Sequence, residues 1–369
     1  MSTALNRVEP VRTRWYGAIS IVIGLVIALL VLEAGLVLYQ KHVRDREHMS
    51  AGLILYDEHL GWKLARSWSG RHERSEYRVS YHTGTQGFRV SDSTNNDSTA
   101  ARWAVLGDSF TFGLGVNDNE TFTAVMNREA TDKHFINYAV PGYSTDQQWL
   151  LLQQNPEIRR ARRLLVVVYL GNDPFDNVLS FPLQARHAKP YVELENGKLR
   201  VRNQPVPLIS KPQAQLQRDL ARLNAPRREP AAWRRLLESS AVGALLLNSL
   251  FPDRYIANDV STHFQYETDV IIALLRKIQA QAAEMQPLIV LMPGRSFVQQ
   301  PYSFSAAYQE YFRREILNAA PEQSLDVIDM ATLLRTDYET TSSQLFYPVD
   351  GHLTPIGHEF IARAISERL

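Results

Sequence analysis

The chain has 369 residues, 45% of them hydrophobic and 21% charged, with a formal net charge of +1. That balance excludes a disordered polyelectrolyte and leaves no broad electrostatic reason to expect nucleic acid as a partner. The chain contains no cysteine, so disulfides, thiolate metal sites and cysteine nucleophiles are excluded as well.

Residues 16–39 read YGAISIVIGLVIALLVLEAGLVLY, apolar throughout except for Glu33. A membrane span needs about 20 apolar residues, more than the ~7–15 of a secretory signal core, and no small-x-small cleavage signal follows. The pattern predicts a cytoplasmic tail over 1–15 and an uncleaved transmembrane signal anchor over 16–39. Positive charge does not orient it, since Arg7, Arg12 and Arg14 precede the span and Lys41, Arg44 and Arg46 follow it. Glu33 lies near the outer end, where snorkelling of its carboxylate to the interface is cheap.

Residues 40–100 read as a membrane-proximal connection followed by a short β extension. The charged stretch 40–60 is the connection, and alternating pieces such as EYRVSYHT predict short strands before the turn glycines of GTQGFRV. The polar run SDSTNNDSTA at 91–100 predicts a surface loop.

From residue 101 to 369 the pattern alternates between buried strands and amphipathic helices. Strands are predicted at 103–106, 134–140, 163–170, 287–292 and 325–330, and helices at 120–130, 266–285 and 354–369. In the last helix Thr354 is the N-cap, Pro355 opens the first turn, and Ile356, Phe360, Ile361, Ala364 and Ile365 form the apolar stripe, which leaves His358 as a surface histidine. Such alternation predicts an α/β fold with a parallel sheet sandwiched by helices. An insertion over about 180–264 interrupts it. YVELENGKLRVRN predicts a hairpin with Asn196-Gly197 at its turn. The run SSAVGALLLNSLF predicts packing surface, with a lid or a bilayer-facing patch as the sharper alternative. Arg218, Arg222, Arg227, Arg228, Arg234 and Arg235 read as a solvated helix face, or alternatively as contacts to anionic glycan or lipid headgroups.

Four segments carry candidate chemistry. AVLGDSFTFGLGV at 104–116 puts Ser109 at the end of a strand, where sites form in open α/β sheets. It lacks the lysine of a phosphate loop, the third glycine of a dinucleotide fingerprint and the second glycine of a nucleophile elbow. Ser109 is therefore a nucleophile or a turn cap. NYAVPGYSTDQQ offers the Gly142 backbone, and VVVYLGNDPFDN offers the Asn172 amide, each also readable as a plain turn. YPVDGHLTPIGH places Asp350 and His352 before the last helix, a carboxylate that can orient an imidazole and an imidazole that can take a serine proton. A metal site from Asp350, His352 and His358 is the weaker alternative, because their spacing is not a metal-ligand pattern.

In this order, Gly-Asp-Ser, a later glycine, Gly-Asn-Asp and a C-terminal Asp-x-His, the chain resembles the SGNH/GDSL hydrolase superfamily. LGW and GFR within 60–89 likewise resemble the stretch that precedes the domain in its membrane-anchored members. The resemblance implies a flavodoxin-like α/β/α sandwich holding a serine esterase site, with no cofactor and no metal. It implies Ser109 as nucleophile, His352 as general base oriented by Asp350, and an oxyanion hole from the Ser109 and Gly142 N–H groups and the Asn172 side chain. Two features depart from the family pattern. One residue, not two, separates Asp350 from His352, a spacing similar to that of SGNH-like alginate acetylation proteins, and Gly171 directly precedes Asn172. The implied substrate is an O-acyl, foremost O-acetyl, group on a cell-surface or secreted glycan, with the domain outside the cytoplasm. A lipid esterase, an acyltransferase and a non-catalytic glycan-binding or assembly protein are the alternatives.

Overall fold

The computed structural model describes residues 11–44, 47–90, 100–183, 186–212, 232–250 and 254–369. Arg7, Arg46, the polar loop through residue 99, and Arg218, Arg222, Arg227 and Arg228 lie outside the described residues, as do the side chains of Arg12, Arg14, Lys41, Arg44 and Arg235. The chain divides into two compact units, Met1–Arg46 with Pro226–Asp253, and Glu47–Ala225 with Arg254–Leu369.

The larger unit begins with the extension. Strands β1 (His48–Met49), β4 (Ser69–Glu73) and β5 (Arg78–His82) form an antiparallel sheet, while β2 (Ile54–Asp57) pairs with β3 (Gly61–Leu64). Two short strands thus occupy the stretch that charge alone marked as a connection. The main sheet follows with β6 (Ala101–Leu106), β7 (Lys133–Asn137) and β8 (Arg163–Tyr169). The insertion contributes the hairpin β9 (Tyr191–Glu195) and β10 (Lys198–Arg202), turning at Asn196-Gly197. Strands β11 (Leu288–Met292) and β12 (Asp326–Ile328) complete the sheet.

The sheet is parallel, with strand order β7-β6-β8-β11-β12. Counted along the chain that order is 2-1-3-4-5, the doubly wound flavodoxin-like arrangement, and its direction reverses between β6 and β8. The central strands are continuous apolar runs because both faces are covered: Leu164 to Val168 have no exposed surface. Helices Phe122–Glu129, Met330–Thr341 and Pro355–Ser366 pack together on one face, and Thr145–Gln154, Gln265–Gln281 and Phe304–Ala319 on the other. The fold is the α/β/α sandwich expected from the sequence.

The last helix differs from its expected stripe. Its buried residues are Gly357, His358, Ile361, Ala362 and Ile365, while Ile356 is exposed. His358 stands three, four and seven residues before Ile361, Ala362 and Ile365, which places it on the buried face. It is not a surface histidine. Its Nδ1 accepts the Phe122 N–H at 3.2 Å, and burial holds its imidazole neutral, with a pKa lowered to about 3.

In the smaller unit, helix Val11–Arg44 contains one segment, Ile19–Tyr39, long and apolar enough to cross a membrane. Helices Ala232–Glu238 and Ala241–Leu250 of the insertion belong to the same unit. The Glu33 carboxylate does not project away to an interface. It accepts the backbone N–H groups of Ala241 at 2.6 Å and Val242 at 2.9 Å.

Candidate active site

The segment AVLGDSFTFGLGV leaves β6 at Leu106 and turns at once into the short helix Ser109–Phe112. Asp108 caps that helix by accepting the Phe110 N–H at 2.9 Å, and Gly113 ends it in a left-handed conformation, φ 85°. A side chain there would be strained and would also collide with Thr121, which explains the glycine. Ser109 is therefore set at the start of a capped turn at the C-terminal end of a central strand. The buried Arg89, from the end of the extension, donates to the carbonyls of Phe112, Gly113 and Val116 at 2.6–2.7 Å and to Asp118 at 2.8 Å. It clamps the loop that follows Ser109.

His352 arrives from the turn before the last helix. Its Nε2 lies 2.9 Å from Ser109 Oγ, and its Nδ1 is hydrogen-bonded to Asp350 Oδ1. With the Nδ1 proton donated to Asp350, Nε2 carries the free lone pair and can accept the Ser109 O–H. The one-residue spacing is accommodated because Gly351 turns the chain with φ 84°, bringing the two side chains onto each other. Phe110 lies against the imidazole at 4.8 Å between centroids and stacks on Tyr169 at 4.3 Å. The imidazole side chain is 19% exposed and the Asp350 side chain only 2%.

Asp350 is held by more than His352. Its Oδ2 accepts the Tyr77 O–H at 2.8 Å and an Arg74 N–H, and its Oδ1 also accepts the His352 backbone N–H at 3.2 Å. Burial pushes the carboxyl upward, but the bonds from His352 and Tyr77 and the charges of His352 and Arg74 outweigh it, and the group stays ionised well below its ordinary range. Arg74 also pairs with Glu47, the first described residue of the larger unit. Tyr77 and Arg74 escaped sequence reasoning; nothing local marks two extension residues as partners of an aspartate 273 and 276 positions away.

The two remaining expected residues lie at neighbouring strand ends. Gly142 follows β7, and its loop is tied to the serine loop by the Val140 N–H, which donates to Gly107 O at 3.2 Å. Gly142 has φ 80°, and a Cβ there would sit 3.3 Å from the Trp62 ring, whose Nε1 donates to Pro141 O at 3.0 Å. Asn172 follows β8, across the reversal of strand order from Ser109. One amide hydrogen of Asn172 goes to Asp176 Oδ2 at 2.6 Å. Burial raises Asp176 to about 7 and Asp108 to about 6, the latter opposed by the Phe110 N–H and the His352 charge. Asp173 is pushed well up by burial and by the Asp108 charge, so the donors back onto a set of largely buried carboxyl groups. Below them the fully buried Lys189 donates to Asp146 and to the Asp176 carbonyl, both at 2.6 Å, fastening the insertion under the site.

Of the three residues of the metal alternative, Asp350 and His352 are bonded to each other, and His358 is buried against Phe122, whose N–H it accepts.

Fold and geometry together define a class: a doubly wound α/β protein with a serine, an imidazole and a carboxylate linked in series at the sheet's switch point. No family model matches the chain, and no curated protein matches it. Solved structures similar to it include an acetylxylan esterase from Geobacillus stearothermophilus, determined as a catalytic mutant, at 9% identity and TM-score 0.41 over 73% of this chain and 94% of that one. A member of the lipolytic protein G-D-S-L family from Veillonella parvula is 12% identical, TM-score 0.38, over 72% and 96%. The lipase/acylhydrolase from Enterococcus faecalis is 13% identical, TM-score 0.39, over 72% and 94%. These are distant similarities of fold.

Proposed function

We propose that the protein is a membrane-anchored serine ester hydrolase that removes O-acyl, foremost O-acetyl, groups from a cell-surface or secreted glycan outside the cytoplasm. The observation that carries the reading is the 2.9 Å contact between Ser109 Oγ and His352 Nε2, with Asp350 on the other ring nitrogen. In the proposed reaction Ser109 Oγ attacks the ester carbonyl carbon while His352 Nε2 takes its proton. The N–H groups of Ser109 and Gly142 and the Asn172 amide receive the oxyanion, each such donor being worth about 2.7–4 kcal/mol. Collapse breaks the bond to the alcohol, which leaves with the proton from His352. Water then repeats the sequence on the acyl-enzyme, and the acid is released.

An anchored domain facing the envelope suits short acyl groups on glycans. A lipid ester is the second reading, favoured by a groove of about 80 Å³ whose lining includes Ile54, Leu55, Tyr56, Trp62, Leu208 and Ile209. The test is mass spectrometry of full-length protein in detergent with acetylated glycans and acyl lipids. We expect free acetate from a glycan, lost in Ser109→Ala. Release only from long-chain lipids would select the second reading, and transfer of the acyl group to a sugar hydroxyl would make the protein a transferase. Equal turnover by Ser109→Ala would overturn the assignment.

A further inference from the structure

The insertion's apolar helices show more exposed apolar surface than packing in a water-facing unit would leave. In helix Ala241–Leu250, Val242 and Leu247 are buried, but Leu245, Leu246 and Leu250 are 50–66% exposed. In helix Ala232–Glu238, Trp233, Leu236 and Leu237 are exposed too. Among the described residues of their unit nothing covers these side chains, and exposed apolar surface of this kind marks an interaction site.

The neighbour of this hairpin names the occupant. Helix Ala241–Leu250 packs on the helix that contains the span, and both its leading N–H groups end on Glu33. Glu33 lies six residues, about 9 Å of helix rise, inside the Tyr39 end of the span. Whatever caps onto Glu33 shares that depth. A carboxylate in hydrocarbon needs donors, and a helix start in hydrocarbon needs acceptors, so each removes the other's cost. Length agrees as well: ten residues rise about 15 Å, half of a ~30 Å hydrocarbon core, so the helix can enter but cannot cross. Both ends of the insertion return by chain connection to the same unit, as a re-entrant hairpin requires.

We propose that residues 232–250 form a re-entrant hairpin immersed in the leaflet at the Tyr39 end of the span, pinned to the span by Glu33, with Leu245 and Leu246 facing lipid acyl chains. The hairpin does not cross the membrane. This inference stands apart from the esterase reading, since it uses no residue of the site and its test measures no activity.

The chain has no cysteine, so single substitutions give unique labelling positions. Full-length Leu245→Cys and Leu246→Cys carry a nitroxide in nanodiscs of phosphatidylcholine and phosphatidylglycerol, where both membrane faces are open to solution. Power-saturation electron paramagnetic resonance compares relaxation by oxygen with relaxation by a water-soluble nickel chelate. Leu29→Cys in the span is the lipid standard, and Asn196→Cys at the exposed hairpin turn is the water standard. We expect oxygen relaxation to exceed nickel relaxation at 245 and 246, as at position 29 and opposite to position 196, with a smaller excess than at the deeper position 29. Strong nickel relaxation matching position 196 would overturn the proposal, and so would weak relaxation by both, which marks a protein-covered surface. Adding Glu33→Ala is expected to raise nickel access at 245, whereas Glu33→Gln, which keeps a carbonyl acceptor, restores protection. No change in Glu33→Ala would overturn the pinning role.

Discussion

Tyr77→Phe isolates the hold that the extension exerts on Asp350. The substitution keeps the ring, which is 8% exposed and packed against His72 and Tyr347, and removes only the hydroxyl that donates to Asp350 Oδ2 at 2.8 Å. The carboxylate accepts four hydrogen bonds here, two from His352 and one each from Tyr77 and Arg74. A bond to a charged group is worth about 1.5–3 kcal/mol, and with Arg74 still on the same oxygen the lower end applies. At about 1.4 kcal/mol per tenfold in rate, kcat on a chromogenic acetyl ester should fall about tenfold. KM should stay constant, because no substrate contact is lost. A thermal melt run alongside separates loss of folded protein from loss of positioning. A kcat within twofold of wild type, at unchanged melting temperature, would refute the claim that Tyr77 orients the carboxylate.

Asp350→Asn should cost more, about 10⁴ in kcat, because the amide no longer enforces the Nδ1–H tautomer of His352; a loss under tenfold in steady-state assays would remove Asp350 from the relay. Gly142→Ala places a side chain at φ 80° and 3.3 Å from Trp62, so stability should drop by about 1–2 kcal/mol and kcat by up to ~10², read by denaturant melts and initial rates. His358 gives a pH test. Its folded pKa of about 3 lies below the ordinary 6.5, so between those values the unfolded chain binds the extra proton. Its contribution to stability is complete above pH 6.5 and is lost as pH falls toward 3, with a slope approaching about 1.4 kcal/mol per unit. His358→Asn, with an oxygen in place of Nδ1, should flatten that slope in melts between pH 4 and 6.5 and leave esterase activity at pH 7 unchanged.

The sheet is legible because its central strands are apolar runs, the β8 run rich in valine, as parallel strands buried on both faces must be. Ser109, Gly142, Asn172, Asp350 and His352 were readable as an ordered set, each at a strand end or just before a helix. Less legible were the residues whose role depends on how the extension packs. Arg74, Tyr77 and Arg89 sit among short alternating strands that resemble any β connection; only the β4-β5 hairpin brings Arg74 and Tyr77 to Asp350, and only the Thr83–Arg89 bridge beyond β5 brings Arg89 to the loop after Ser109. The misreading of His358 has a simple cause. Counting from Ile356 and Phe360 chooses a stripe shifted from the buried one, and a histidine on an apolar face is easily assigned to water. The sequence marks Glu33 as the one charged residue of the span, but its partners lie more than two hundred residues away.

The central claim is that Ser109 is a nucleophile activated by His352. Intact-mass analysis of the full-length protein after exposure to a fluorophosphonate tests it most directly. The account predicts a single phosphonyl adduct on Ser109, absent in Ser109→Ala, strongly slowed in His352→Ala and unaffected in His358→Asn. An unmodified wild-type chain, or an adduct that persists in Ser109→Ala, would contradict it.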